Sequence, residues 1–234
     1  MYASTTAKVA AVGWFLALFV GVPYVGSRYP GLLPAWLPSW FFMAVIAVGF
    51  VAGGFLLKGL DLWRCHRLAT SMGLQRMDGN TAADAGFNSM EAYRGEFESR
   101  QVTLDHVGTQ ENVASDWTRV AARHDGDPGG PLVVRERGLG GVPESEFPPS
   151  VDVRNGALTD RFNVYCEDAG FARDVLAGHV RELLVDADEV DEVKVDDDTV
   201  VSRQRLQTFD ADVIREHMRV AAGVADAVET ASGK

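Results

Sequence analysis

The hydrophobic positions of the first 60 residues form two long uncharged runs, at about residues 9–27 and 38–57, with a proline-rich turn between them. The second run has 18 consecutive uncharged residues from Trp40 to Leu57. In a helix such a run spans about 27 Å, close to the hydrocarbon thickness of a bilayer. The first run is too long for the core of a signal peptide and lacks a cleavage site, so we expect it to be retained. The pattern predicts a transmembrane helical hairpin over residues 1–60.

The orientation of this predicted hairpin follows from the basic residues beside its ends. Lys8 precedes the first run, Lys58 and Arg64 follow the second, and only Arg28 lies in the turn between them. Basic residues favour the cytoplasmic side of a membrane helix. The sequence therefore predicts a multi-pass cell-membrane protein in contact with the lipid bilayer, with both termini cytoplasmic and residues 61–88 serving as juxtamembrane segment and linker.

Small residues recur at a spacing of four in both runs. Gly13, Ala17 and Gly21 lie in the first run, and Gly49 and Gly53 in the second. Faces of this kind let the backbones of membrane helices approach closely. These five residues are the helix-packing candidates, either within the hairpin or between two chains; glycine and alanine are also simply common in membrane helices.

From residue 89 to 234 the pattern changes to short alternating segments and amphipathic stretches. Alternation predicts β-strands, and an apolar face at helical spacing predicts helices that begin at the N-caps Asp168 and Asp210. We therefore expect an α+β, mainly antiparallel cytoplasmic domain with two helices in its C-terminal half. The predicted strands are residues 99–107, 113–123, 132–137 and 161–167, followed by a hairpin over residues 192–201.

The charge of the chain is distributed very unevenly. Residues 1–60 hold three of the 22 basic residues and no acidic ones, which leaves 19 basic and 33 acidic residues in 61–234, a formal net charge of −14. A domain this acidic repels phosphate, so nucleic acid is excluded as a partner. Arginine outnumbers lysine 18 to 4. Together with the acidity this favours a halophilic archaeal source, and an ordinary acidic domain from a GC-rich genome is the alternative.

Motifs for chemistry are absent from the sequence. The acidic stretch 186–198 has no glycine at the sixth position of a calcium loop, and the glycines at 138–141 are followed by no P-loop lysine. The five histidines lack zinc-ligand spacing, and no serine lies in a G-x-S-x-G motif. Cys65 and Cys166 form no disulfide or metal pattern. We expect no cofactor and no metal, and the catalytic residues, if any, stay unknown.

One stretch carries a family resemblance. Residues 158–184, LTDRFNVYCEDAGFARDVLAGHVRELL, followed by VKVDDDTVV, resemble a segment of uncharacterised two-span membrane proteins of bacteria and haloarchaea, with a departure at Ala177-Gly178. The resemblance implies an architecture and carries no catalytic residues.

These patterns lead to one main hypothesis and two alternatives. The main hypothesis is a membrane-anchored cytoplasmic domain that binds a membrane or cytoplasmic protein partner or assembles with itself. The alternatives are a membrane-bound, hydrolase-like enzyme whose site is made of scattered residues, and an accessory subunit of a membrane transport complex.

Overall fold

The computed structural model describes residues 39–87, 91–107, 117–140, 144–153, 156–205 and 207–233. The chain divides into two compact units, Met1–Cys65 and His66–Lys234. Each unit is described by itself below.

The first described element is helix α1, Ser39–Ser71. It contradicts the predicted transmembrane hairpin, because no helix in the described part of the chain is both long and apolar enough to cross a bilayer. The uncharged run is not a separate element: it belongs to one helix of 33 residues that continues through Lys58, Asp61 and Arg64. The predicted span at 38–57, and the multi-pass membrane localisation that depended on it, are therefore wrong. The predicted span at 9–27 lies outside the described residues.

The helix-packing candidates divide in the same way. Gly49 and Gly53 are half-buried positions of α1. Gly13, Ala17 and Gly21 lie outside the described residues. The packing role of all five stays a prediction.

The described residues of the second unit form an eight-stranded sheet, and every strand pair described in it is antiparallel. The antiparallel α+β character of this part was predicted correctly. The order of strands across the sheet is β1-β2-β3-β4-β8-β7-β5-β6. The strands are β1 Gln75–Arg76, β2 Tyr93–Phe97, β3 Arg100–Val107, β4 Trp117–Arg123, β5 Leu132–Glu136, β6 Phe162–Cys166, β7 Glu192–Val195 and β8 Thr199–Arg205.

Helices connect these strands, and more of them are present than predicted. In the C-terminal half there are four α-helices among the described residues instead of two, and the stretch predicted as a linker contains β1 and α2. The helices are α2 Gly79–Asp84, α3 Gly156–Arg161, α4 Ala169–Val175, α5 Gly178–Asp186 and α6 Ala211–Ala231, with a 3-10 turn at Glu144–Glu146.

The predicted N-caps are confirmed. The carboxylate of Asp168 accepts hydrogen bonds from the backbone N–H groups of Gly170 and Phe171, and that of Asp210 accepts one from Asp212. Each cap satisfies backbone donors that have no partner inside the helix.

One face of the sheet is covered by helices. The long helix α6 contacts β3, β4 and β8, and α4 and α5 pack against α6. Cross-strand neighbours Leu104, Val120 and Ser202 lie beneath α6, and all three are fully buried. His106 is buried on the same side of β3. The apolar core of the unit therefore lies between the sheet and α6.

The two edges of the sheet are short or occupied. β1 contributes only two paired residues, opposite Tyr93 and Arg94. At the other edge the N–H of Val151 donates to the carbonyl of Val164 at 2.8 Å, and the N–H of Cys166 donates to the carbonyl of Pro149 at 3.0 Å. Such protection limits edge-to-edge pairing with another chain.

Candidate functional site

A row of charged side chains crosses the face of the sheet opposite α6. The strand register places Asp105 opposite Arg119, Arg119 opposite Arg203, Arg203 opposite Glu192, and Glu192 opposite Arg135. Residues that are directly opposite in neighbouring strands point to the same face. We call these five residues the charged row.

Glu192 is the centre of the charged row and is fully buried. Its Oε2 accepts a hydrogen bond of 2.6 Å from Nη1 of Arg135, and its Oε1 accepts one of 2.7 Å from Nε of Arg203. A buried carboxylate is stable only when it is paired and hydrogen-bonded, and here two guanidinium groups provide both.

Arg135 is held from its other side by backbone carbonyls. Its Nη2 donates to the carbonyl oxygens of Leu139 at 2.8 Å and Gly140 at 2.9 Å. The glycine-rich loop that resembled a phosphate loop therefore presents carbonyl oxygens to an arginine, and these would repel a phosphate. The side chain of Arg135 is only 7% exposed, so it supports the row and cannot meet a large partner directly.

The other end of the charged row is a second buried ion pair. Arg119 donates from Nε to Oδ1 of Asp105 at 2.9 Å and from Nη2 to Oδ2 at 2.6 Å, and Asp105 is fully buried. The same guanidinium donates to the carbonyl of Gly86 at 3.1 Å and lies over the ring of Phe87, 5.6 Å from its centroid. The side chain of Arg119 keeps 23% of its surface exposed.

Trp117 is the aromatic member of this face. The guanidinium carbon of Arg203 lies 5.2 Å from the centroid of its ring, and that of Arg205 lies 5.8 Å away. Arg205 also donates to the carbonyl of Gly140. Cations over an indole ring are held by cation–π attraction, so the ring fixes two long side chains that would otherwise be mobile. We call Trp117, Arg203 and Arg205 the arginine–tryptophan cluster.

The charge balance of this face is opposite to that of the domain around it. The charged row together with Arg205 holds four guanidinium groups and two carboxylates, a formal excess of two positive charges, in a region whose formal charge is −14. Both carboxylates are fully buried, whereas Arg119 and Arg203 keep 23% and 29% of their side chains exposed. The accessible part of the face is therefore positive and aromatic, which suits a partner with carboxylate or other anionic groups.

A serine–histidine pair is the feature that bears on the enzyme alternative. The hydroxyl of Ser202 lies 2.7 Å from Nδ1 of His217, a distance typical of a nucleophile and its base. Both residues are fully buried where α6, which carries His217, packs on β8, which carries Ser202, and burial lowers the pKa of His217 from 6.5 to about 4. No substrate can reach this hydroxyl, so the pair is part of the core.

Metal and thiol chemistry find no further support in the described residues. No group of three or more histidine, cysteine or acidic side chains in the described ranges is placed to hold a metal ion. The acidic stretch 186–198 runs from the last residue of α5 through β7 to the β7–β8 turn at residues 196–198, where Lys194 pairs with Asp196 and Arg123 pairs with Asp198. Cys166 is a buried free thiol, and burial raises its pKa.

Comparison with known proteins shows similarity at the level of the fold. No family model matches the chain, and no curated protein matches it. The fold of the chain is similar to the crystal structure of the mycobacterial trehalose monomycolate transport factor A, TtfA, with a TM-score of 0.50 and 12% sequence identity. The match covers 71% of this chain and 93% of that one. The resemblance to two-span membrane proteins and the halophilic source stay predictions.

Sequence reasoning did not find the charged row. One signal for it was available: Trp117 and Arg119, and likewise Arg203 and Arg205, alternate with residues that face the helices. Charged or aromatic residues at every second position of a strand indicate a polar face. Which strands are neighbours, and hence which charges meet, was not readable from that alternation.

Proposed function

We propose that residues 66–233 are a non-enzymatic accessory domain of a transport complex, which binds an acidic segment of a protein partner on the arginine–tryptophan cluster. The observation that carries the proposal is that two guanidinium groups lie against the ring of Trp117 on the face of the sheet opposite α6.

Charge supports this assignment. Arg203 and Arg205 are held in place by Trp117, by Glu192 and by a loop carbonyl, so little side-chain entropy is lost when they meet a carboxylate. Tryptophan and arginine are the residues most enriched at the energetic centres of protein interfaces. The positive face also contrasts with the acidic surface around it, which directs an acidic partner to this one place.

The comparison with solved structures supports the class of function. The similar structure is that of a protein named as a transport factor, and the match includes nearly all of that chain. An accessory role also agrees with the complete burial of Ser202 and His217, since a substrate cannot reach this pair.

The test is site-specific photocrosslinking in native cells. A benzoylphenylalanine at Trp117 should give one dominant adduct with a protein partner, and mass spectrometry should map the crosslink to an acidic segment. The control places benzoylphenylalanine at position 171 instead, in place of Phe171 of α4 on the helix-covered side of the sheet. This control should not give the adduct. Equal adducts from both positions, or none from Trp117, would disprove the proposed face.

A charge variant separates electrostatic recognition from simple proximity. Arg205→Gln should reduce the Trp117 adduct by roughly tenfold, the factor expected for one charge-assisted hydrogen bond. Arg181→Gln, at an exposed position of α5, should leave the adduct unchanged. An adduct with a second copy of the chain would identify self-assembly as the function of this face and remove the acidic-partner proposal.

A further inference from the structure

A second positively charged position lies at the β1–β2 end of the sheet and does not belong to the charged row. Arg94 is the second residue of β2 and pairs with Gln75 of β1 and Thr103 of β3. It lies beside a cavity of about 730 Å³ that is also lined by Gln75, Thr81, Ser99 and Gln101. Ligand pockets commonly have volumes of about 300–1,000 Å³, so the cavity is large enough for a small molecule.

Arg94 differs from four other arginines of the sheet in having no ion pair among the described residues. Arg100, Arg119, Arg123 and Arg203 each bond a carboxylate. In the described part of the chain the half-buried Arg94 has no ion pair, and its Nε is buried without a hydrogen-bond partner. A desolvated guanidinium without a partner is costly, and this domain has acidic residues in excess. An arginine left unpaired there is available for an anion from outside the chain.

The surroundings of Arg94 supply further hydrogen-bonding groups. Gln101 projects from β3 on the same face, and Ser99 stands at the end of the β2–β3 turn with a φ of 66°. Amide and hydroxyl groups can orient the polar body of a ligand whose anionic group is held by Arg94. Two carboxylates, those of Asp78 and Glu96, and a second guanidinium, that of Arg76, also line the cavity. The carboxylate of Asp78 already accepts the N–H groups of Asn80 and Thr81 at the start of α2, and Glu96 is exposed to solvent.

Gly95 makes this cavity possible. A Cβ at position 95 would lie 2.5 Å from Cδ2 of Leu74, so a glycine lets the chain before β1 pass directly over β2. Leu74 is buried by this approach. The wall of the cavity formed by Gly73 and Gln75 is thereby fixed relative to Arg94.

We infer that this cavity, the Arg94 pocket, binds a small polar ligand through a phosphate or carboxylate group, with the guanidinium of Arg94 as its counter-charge. The inference is independent of the proposed partner-binding face, since no member of the arginine–tryptophan cluster lines the pocket. Phosphate and carboxylate share the chemistry that a guanidinium recognises, and the two sources are distinguished by the probes below.

The test uses the full chain with ¹⁵N-labelled arginine at constant ionic strength. Inorganic phosphate and succinate are titrated separately, and the Nε–H resonance of Arg94 is followed. We expect a saturable shift with at least one probe: phosphate alone identifies a phosphate ligand, succinate alone a carboxylate ligand, and both a general oxyanion site. No saturable shift with either probe up to about 10 mM, an upper limit for a specific site of this kind, overturns the inference.

Variants locate the binding and guard against misfolding. Arg94→Gln should weaken binding of the active probe, measured by calorimetry, about 10- to 100-fold, whereas Arg123→Gln, on the same face but paired with Asp198, should leave it unchanged. Gln101→Glu changes an exposed residue and puts a carboxylate beside the pocket, so it should weaken binding about tenfold without loss of fold. Binding that survives both Arg94→Gln and Gln101→Glu overturns the inference.

Discussion

Glu192→Gln tests whether the charged row holds the sheet together. The substitution keeps the shape of the side chain and removes the only carboxylate shared by Arg135 and Arg203 in the charged row. Arg135 would then stay 7% exposed with no counter-charge. Removing one partner of a buried ion pair costs about 3–5 kcal/mol, because the remaining charge is still desolvated. For a domain of this size each kcal/mol lowers the melting temperature by about 2–4 °C, so we expect a decrease of about 6–20 °C.

The assay is urea unfolding of the full chain followed by far-UV circular dichroism, with thermal melts as a second measurement. Glu182→Gln is the matched control, because Glu182 is an exposed residue of α5 whose contact with Arg181 is 4.0 Å long; it should cost less than about 0.5 kcal/mol. Arg135→Met added to Glu192→Gln should recover part of the loss, since it removes the unpaired charge. A cost for Glu192→Gln below about 1 kcal/mol, or no recovery in the double variant, would show that water or relaxation screens the row and that the reasoning is wrong.

Three further predictions follow from other parts of the unit. Hydrogen bonds from Arg100 lower the pKa of Glu229 from 4.5 to about 2, so the stability that this pair provides is complete above pH 4.5 and is lost as the pH falls towards 2; Arg100→Gln should flatten that part of the melting-temperature profile. Burial lowers the pKa of His217 from 6.5 to about 4, so the unfolded chain takes up this proton first and stability falls between pH 6.5 and 4; His217→Gln should remove that slope. Gly95→Ala should cost about 1–3 kcal/mol in urea unfolding, because the added methyl group would lie 2.5 Å from the side chain of Leu74.

Each of these three variants has a matched control. Arg215→Gln removes an exposed contact with Asp212 and is the control for Arg100→Gln. His179→Gln removes an exposed histidine of α5 and is the control for His217→Gln. Neither control should change the dependence of stability on pH in the range where its partner variant acts. Gly156→Ala adds a methyl group with no atom within 4 Å and should be near neutral. Controls that changed stability as much as their partners would point to general effects of substitution and would contradict the assigned contacts.

The sequence was most informative where structure is determined by residues close together in the chain. Asp168 and Asp210 were recognised as N-caps because a cap bonds N–H groups two or three residues ahead. The β7–β8 hairpin was found because its acidic turn separates two alternating segments. The same locality misled the prediction that the residues after the N-cap Asp168 form one continuous helix. Gly178 adopts a φ of 52° there and divides the helix into α4 and α5.

Long-range features were not readable from a single sequence. Glu192 and Arg135 are 57 positions apart, and they meet because β7 lies between β5 and β8. Periodicity shows which face of a strand is polar and contains no information about the neighbouring strand. The span at 38–57 failed for a related reason: absence of charge was read as an element of its own, whereas those residues belong to a longer helix that ends in charged sequence.

The charged row also determines how β8 aligns with its neighbours. Because side chains alternate along a strand, a shift of β8 by one residue against β4 would turn Arg203 towards the apolar space beneath α6. The same shift would separate Ser202 from His217 and turn Ser202 to the face that carries the charged row. Glu192 would lose Arg203, one of its two counter-charges. A misaligned β8 would therefore lose stabilising contacts on both faces of the sheet. This gives β4 and β8, which pair residues 76 to 86 positions apart, a single favourable alignment during folding.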